Sequence, residues 1–282
     1  MLVAFVLVAS ALGGFEAATT RVAERAPELL VKGDRPMFAP TSWASWALAI
    51  SLTVIAFPHM LVRIFAARDV NALKNACRLY PLSLVLLWVP AVMFGVWGAA
   101  VFPGLEGRAS DEIFPLLVRE FLGPGLRGVA LAGILAAVMS TLDAQFLTLS
   151  SMLSRDLLRR RWPQLSEGRE VAYGRVFVLA FAAVTYVFVL VRPASIFQIA
   201  SFSFSGYVML VPTLFLGLRW RKFTATGAIA SIVVGNGVLL VTFALPEPPW
   251  GVLPVAWGLA AAVLAALVGS RPSLPTRGTM PA

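Results

Sequence analysis

The chain has 282 residues, of which 59% are hydrophobic and only 13% are charged, and its mean hydropathy is +0.83. A soluble domain is about 45–50% apolar and about 25% charged, so this composition excludes an ordinary soluble enzyme or binding domain. The formal net charge of +9 does not indicate a nucleic-acid partner, because no basic stripe with interleaved aromatic residues occurs. We therefore predict an all-α integral membrane protein whose surroundings are a lipid bilayer.

Apolar runs long enough to cross a bilayer, which takes roughly 20 residues each, predict seven complete spans. They lie near 43–62, 79–103, 128–153, 171–191, 196–218, 226–245 and 251–269. The first 15 residues form an eighth, shortened segment, and the absence of Lys or Arg before it argues against a signal peptide. The expectation is one transmembrane domain of about eight segments, 1–269, and a disordered cytoplasmic tail, 270–282.

The basic residues predict the orientation of the chain. If the loops alternate sides, fifteen of the 23 Lys and Arg residues fall on one side and the other eight on the opposite side. The positive-inside rule places the richer side in the cytoplasm. We expect a multi-pass protein of the inner (plasma) membrane, with both termini cytoplasmic and the segment 16–42 outside.

Two features are expected at the membrane surface. Residues 111–122 predict a short surface helix, a lid or strut, ended by Gly123, Pro124 and Gly125. Several tryptophans near span ends predict interfacial anchors: Trp43, Trp46, Trp97, Trp220 and Trp250.

The span 128–153 has one polar face. With 100° per residue, an apolar arc of about 60° contains Leu131, Leu135, Leu142, Phe146, Leu149 and Leu153. The opposite side carries Gly and Ala in its outer half and polar groups in its inner half: Ser140, Thr141, Asp143, Gln145, Thr148, Ser151 and Ser154. This pattern predicts that the leucine arc faces lipid and the polar face contacts protein or water.

Ser140 and Thr141 offer two neutral hydroxyl oxygens, one turn after Ala137. Neutral oxygens bind a hard monovalent cation weakly enough to release it. The alternative is that both hydroxyls bond back to carbonyls of the preceding turn. Asp143 is a costly carboxylate at this depth and is a functional candidate by default, the alternative being a pair with a basic residue on another helix.

Three segments resemble the sodium:solute symporter family, which includes sodium/proline, sodium/pantothenate and sodium/glucose transporters. The signature helix of that family resembles 128–158, GVALAGILAAVMSTLDAQFLTLSSMLSRDLL. Two other core helices resemble 57–69, FPHMLVRIFAARD, and 204–220, FSGYVMLVPTLFLGLRW. Because the three motifs follow the family's order, the chain is identified as a member.

The resemblance implies a partial leucine-transporter-type core, which in full has two inverted five-helix repeats and a broken first helix. Matched through the three motifs, this chain would hold the shortened last helix of the first repeat, the whole second repeat and two peripheral helices. We therefore expect a truncated gene model, a gene fragment or half of a split transporter, inactive alone.

The resemblance also implies site residues. Sodium would be bound by the backbone carbonyl of Ala137 and the hydroxyls of Ser140 and Thr141, and Asp143 is a candidate for coupling or for a second ion. The candidate substrate cavity contains Ile50, Val54, Gln145, Ser203, Ser205 and Tyr207. Ile50 and Val54 replace aromatic residues of the proline transporters, so proline is not the expected substrate. Around Ser203 and Ser205 either local unwinding beside the cavity or simple helix packing remains open.

The implied function is secondary active transport that couples sodium influx to uptake of a small solute by alternating access. No enzyme activity and no cofactor is expected, sodium being the coupling ion. The expected partners are the bilayer, sodium, the solute and a separately encoded amino-terminal half. The alternatives are a non-transporting membrane subunit or a sensor derived from the same family.

Overall fold

The structure, a computed structural model, describes residues 1–31, 38–191, 194–247 and 249–270. Within these ranges it contains α-helices, short 3-10 turns and one π-helical segment, and no β-strand. The chain divides into two compact units. The first consists of Met1–Lys32 and Val62–Ile196, and the second of Gly33–Leu61 and Phe197–Ala282.

The helices follow one another closely along the described chain. The first seven are α1 Leu2–Ala11, α2 Phe15–Arg25, α3 Pro40–Ala56, α4 Pro58–Phe65, α5 Val70–Val101, α6 Ile113–Phe121 and α7 Pro124–Ser151. After the π-helical segment Met152–Leu158 come α8 Arg159–Arg161, α9 Glu167–Val191, α10 Ile196–Val208, α11 Val211–Arg219, α12 Ala225–Phe243 and α13 Pro254–Gly269.

All eight apolar segments predicted from the sequence are helical. Five helical stretches are long and apolar enough to cross a membrane: Val70–Val101, Pro124–Arg161, Glu167–Val191, Ile196–Arg219 and Ala225–Phe243. Two bent pairs, α1 with α2 and α3 with α4, raise the number to seven if each pair is one span, and α13 is a shorter apolar helix. These findings confirm an all-α membrane protein.

Three of the predicted spans are interrupted, each for a local reason. The axes of α1 and α2 differ by 68° where Gly13 and Gly14 adopt φ of 91° and 96°, a region that favours glycine. Those of α3 and α4 differ by 53° because Phe57, which precedes Pro58, is extended. The α10–α11 break follows Val208, whose carbonyl loses its helical donor because Pro212 has no N–H.

The core of the first unit lies between α1, α2, α5 and α6. It buries Phe94, Trp97 and Leu117, and the predicted surface helix is α6. Trp97 is only 1% exposed and stacks on Phe5 at a centroid distance of 5.2 Å, while its Nε1 donates to the Thr19 hydroxyl. The prediction that Trp97 is an interfacial anchor is therefore wrong, because α1 and α2 fold back over this end of α5.

In the second unit, α12 and α13 pack through small residues. A Cβ at Gly235 would lie 2.7 Å from the Cβ of Ala262, so only glycine permits this approach. Ser270, predicted to begin the tail, is buried and accepts a hydrogen bond from the Thr224 backbone N–H. The rest of the predicted tail, 271–282, lies outside the described residues.

Candidate ion and substrate sites

Helix α7 is 28 residues long and begins with Pro124 directly after Gly123. It carries Ala137, Ser140 and Thr141 on consecutive turns near its middle, and all three residues are exposed. The helix therefore brings the Ala137 carbonyl and the hydroxyls of Ser140 and Thr141 together on one exposed turn. The sequence predicts this grouping, because the helical period alone requires it.

The hydroxyl of Thr141 donates to the Ala137 carbonyl over 3.3 Å. This is the back-bonding that was the structural alternative to an ion site. The two readings are compatible, since a hydroxyl that donates one hydrogen bond keeps lone pairs for a cation. The Ser140 hydroxyl has no hydrogen-bond partner within the described chain. The turn thus offers three neutral oxygens, about half of the six or so ligands that a hard cation takes.

Asp143 lies on the same helix, just after Thr141, and its side chain is exposed. In the part of the chain that the structure describes, no Lys, Arg or His lies within ion-pair distance of this carboxylate. The pairing proposed as the alternative role of Asp143 has no partner among those residues. Gln145, a candidate for the substrate cavity, is half-buried on the same helix.

The carboxyl-terminal end of α7 contacts α9 with a mixed surface. Thr148 and Ser154, both predicted on the polar face, are buried. Phe146 packs edge-on against Phe181 of α9 at a centroid distance of 5.9 Å. The prediction that Phe146 faces lipid is therefore wrong, because the α9 contact begins at the edge of the apolar arc.

The second unit holds the other five candidate cavity residues. Ile50 is exposed on α3, and Val54, one turn later, is half-buried. On α10, Ser203 and Ser205 donate to the carbonyls of Ile199 and Ser201 at 2.9 and 2.8 Å. The backbone stays helical through both serines, so the unwinding considered there does not occur, and the break comes later, at Met209 and Leu210.

Sequence reasoning missed the residues that tie α3 to α10. Thr53 is buried, and its hydroxyl contacts the carbonyls of Ala49 and Phe204 at 2.7 and 3.3 Å. The Phe57 ring packs against Phe204 and Tyr207 with centroid distances of 5.6 and 4.9 Å. Pro58 was the available signal, since it places Phe57 at a bend. The structure thus brings Val54, Phe57 and Tyr207 into one region of the second unit.

The fold and this polar helix define the class of the molecule: a multi-pass, all-α membrane protein with exposed neutral oxygens on a spanning helix. The family model described as "Sodium:solute symporter family" matches residues 1–235. The chain belongs to this family.

Two kinds of relative illustrate the similarity. The chain is 29% identical to a sodium/pantothenate symporter of Haemophilus influenzae over 265 residues, covering 93% of this chain and 54% of that protein. It is 30% identical to the sodium/pantothenate symporter of Escherichia coli, covering 94% of this chain and 55% of that protein. The high-affinity proline transporter PutP of Bacillus subtilis is 30% identical over 188 residues, 65% of this chain and 40% of the transporter. The chain thus spans about half the length of these relatives.

Proposed function

We propose that this chain is the carboxyl-terminal part of a secondary active transporter that couples sodium influx to uptake of a small solute by alternating access. The observation that supports this proposal best is the exposed turn of α7 that carries Ala137, Ser140 and Thr141, with the Thr141 hydroxyl next to the Ala137 carbonyl. Relatives along most of this chain are named sodium symporters, which supports sodium as the cation. No cofactor other than this coupling ion is proposed.

The chemistry of the turn suits an ion that must bind and leave again. The three oxygens are neutral, so they replace part of the hydration shell of sodium without the tight binding that carboxylates give. If sodium bound at this turn favours the form of the protein that accepts solute, solute binding must strengthen sodium binding by the same factor. Such coupling typically amounts to ~1–3 kcal/mol.

The site needs ligands beyond those of α7. Three oxygens are about half of a hard-cation shell, and all three residues are exposed. We propose that the remaining ligands come from a polypeptide corresponding to the other half of the longer relatives, either continuous with this chain or separately encoded. We further propose that residues 1–269 form one transmembrane domain in the inner membrane and that both termini of the chain are cytoplasmic.

The test is a fusion of the amino-terminal part of the Escherichia coli sodium/pantothenate symporter to this chain. Reconstituted in liposomes, the fusion should take up pantothenate or another small solute only when a sodium gradient is imposed, and this chain alone should take up none. Sodium-dependent uptake by the 282-residue chain alone would contradict the need for a second half. A folded fusion that binds no sodium would contradict the transporter proposal and favour a non-transporting subunit or sensor.

A further inference from the structure

A cavity of about 850 Å³ lies in the first unit, between the inner end of α7, the π-helical segment and α9. One part of its wall is apolar and includes Leu147, Val178 and Leu179. The other part carries serine hydroxyls and charged side chains. Such a cavity matches a ligand with one apolar and one charged end.

Local backbone features form the cavity. The π-helical segment Met152–Leu158 has wider turns than the α-helix before it, and it places Ser154 in a buried position. On the facing helix, a Cβ at Gly174 would lie 2.7 Å from the Ser150 hydroxyl oxygen. A side chain at position 174 would therefore fill this part of the cavity.

The charges of the wall leave two guanidinium groups available. Arg159 contacts Glu170 at 3.9 Å, and Glu170 is the more buried partner, with 14% of its side chain exposed. Within the described ranges, Arg155 and Arg175 have no carboxylate within ion-pair distance. Glu167 is the remaining acid of the wall, so positive charge is in excess.

The surroundings resemble a membrane interface. Arg160 and Arg161 follow the cavity residues directly along the chain, and the next residue, Trp162, is 55% exposed. Tryptophan and basic residues are enriched at the headgroup level of a bilayer. Basic pockets between spanning helices on the cytoplasmic side are where the headgroups of anionic lipids bind.

We propose that this cavity binds the headgroup of an anionic glycerophospholipid. Arg155 and Arg175 bind the phosphate, since a guanidinium fork matches phosphate oxygens, and the hydroxyls of Ser150 and Ser154 donate further hydrogen bonds. The apolar wall contacts the first part of an acyl chain. Assignment to the cytoplasmic leaflet rests on the proposed orientation, but the site itself requires neither transport nor sodium.

The test uses the whole purified chain in nanodiscs and measures retained lipid by native mass spectrometry. The wild type should retain phosphatidylglycerol in clear preference to phosphatidylcholine of the same acyl composition. Arg155→Gln and Arg175→Gln should each weaken phosphatidylglycerol binding about fivefold, which corresponds to about 1 kcal/mol per basic residue near a membrane surface. The double variant Arg219→Gln/Arg221→Gln, which removes two charges that do not line the cavity, should change binding less than twofold.

Three outcomes would overturn the proposal. Equal retention of phosphatidylglycerol and phosphatidylcholine by the wild type would overturn it. This result needs no variant, so it can be obtained even if the variants do not fold. Displacement of the lipid by inorganic phosphate at equal concentration would assign the cavity to a soluble anion. A preference for phosphatidylethanolamine that Glu167→Gln abolishes would assign it to a zwitterionic headgroup, with Glu167 binding the ammonium.

Discussion

Asp143 is the side chain of α7 whose environment most needs explanation. It is exposed on a spanning helix, and a carboxylate inside a membrane protein usually serves an ion pathway or a charge pair. We expect Asp143→Asn in the fusion protein to change the sodium or pH dependence of uptake. Asp69→Asn is the matched control and should leave this dependence unchanged. The Asp69 carboxylate has a local structural role, since it caps the first turn of α5 by accepting from the Ala72 N–H.

The two roles of Asp143 differ in what else changes. An ion-coupling role alters the sodium concentration at half-maximal uptake while leaving the amount of folded protein unchanged. An unchanged sodium and pH dependence, together with a lower protein yield, would contradict coupling and indicate a structural charge pair.

Thr53 provides a test of packing within the second unit. Thr53→Val keeps the shape of the side chain but removes the hydroxyl that contacts the Ala49 and Phe204 carbonyls. We expect the free energy of unfolding to fall by about 1 kcal/mol, the net value of a typical hydrogen bond. Ser51→Ala on the same helix removes an exposed back-bonded hydroxyl and should change this energy by less. Equal effects of the two changes in denaturant titrations would refute a specific role for Thr53.

At the scale of helices, the α12–α13 contact requires glycine at position 235 but not at position 237. A Cβ at Gly235 would lie 2.7 Å from Ala262 Cβ and 3.2 Å from Met209 Sδ. A Cβ at Gly237 would have none of these contacts, since no such atom lies within 4 Å of it. Gly235→Leu should therefore destabilise the protein by about 1–3 kcal/mol through overpacking. Gly237→Leu should be neutral or stabilising, because glycine is a poor helix former.

Thermal unfolding followed by circular dichroism distinguishes these two variants. If the close α12–α13 approach stabilises the protein, Gly235→Leu alone should have a lower melting temperature. If both substitutions lower it equally, the close α12–α13 approach is not what stabilises this pair of helices.

The sequence predicted the helices and the polar turn of α7 because both depend on local periodicity. The apolar runs fixed which segments are helical, and the spacing of Ala137, Ser140 and Thr141 placed them together. The sequence could not predict which helix packs against each helix face, because this depends on tertiary packing. Trp97 was predicted at a membrane interface, but Phe5 of α1 stacks on it. Phe146 was predicted in lipid, but Phe181 of α9 contacts it edge-on.

The breaks between helices were predicted only in part. Pro58 and Pro212 both fall inside predicted spans, where a proline can bend a helix, and the structure has a break near each. Serines 203 and 205 suggested unwinding, but their hydroxyls bond back to carbonyls and the helix continues. The break in this span instead lies one turn before Pro212, where the Val208 carbonyl loses its helical donor.

For the whole molecule, the proposed orientation can be tested at the chain's single cysteine, Cys77. It is exposed and lies among basic residues assigned to the cytoplasm. A membrane-impermeant maleimide should label Cys77 in inside-out vesicles and not in intact cells. The variant Cys77→Ser/Ser110→Cys moves the thiol to the connection between α5 and α6, which lies outside in the proposed orientation, and should give the reverse pattern. Labelling of Cys77 from outside would contradict the orientation.

The central claim is that one turn of α7 supplies oxygen ligands to sodium, and binding of radioactive sodium to the fusion protein tests it most directly. Ser140→Ala/Thr141→Ala should weaken sodium binding at least about tenfold, corresponding to about 1.4 kcal/mol. Ser83→Ala/Thr185→Ala, which removes two exposed back-bonded hydroxyls from α5 and α9, should leave it unchanged. Unaltered sodium affinity in a folded Ser140→Ala/Thr141→Ala protein would contradict the account.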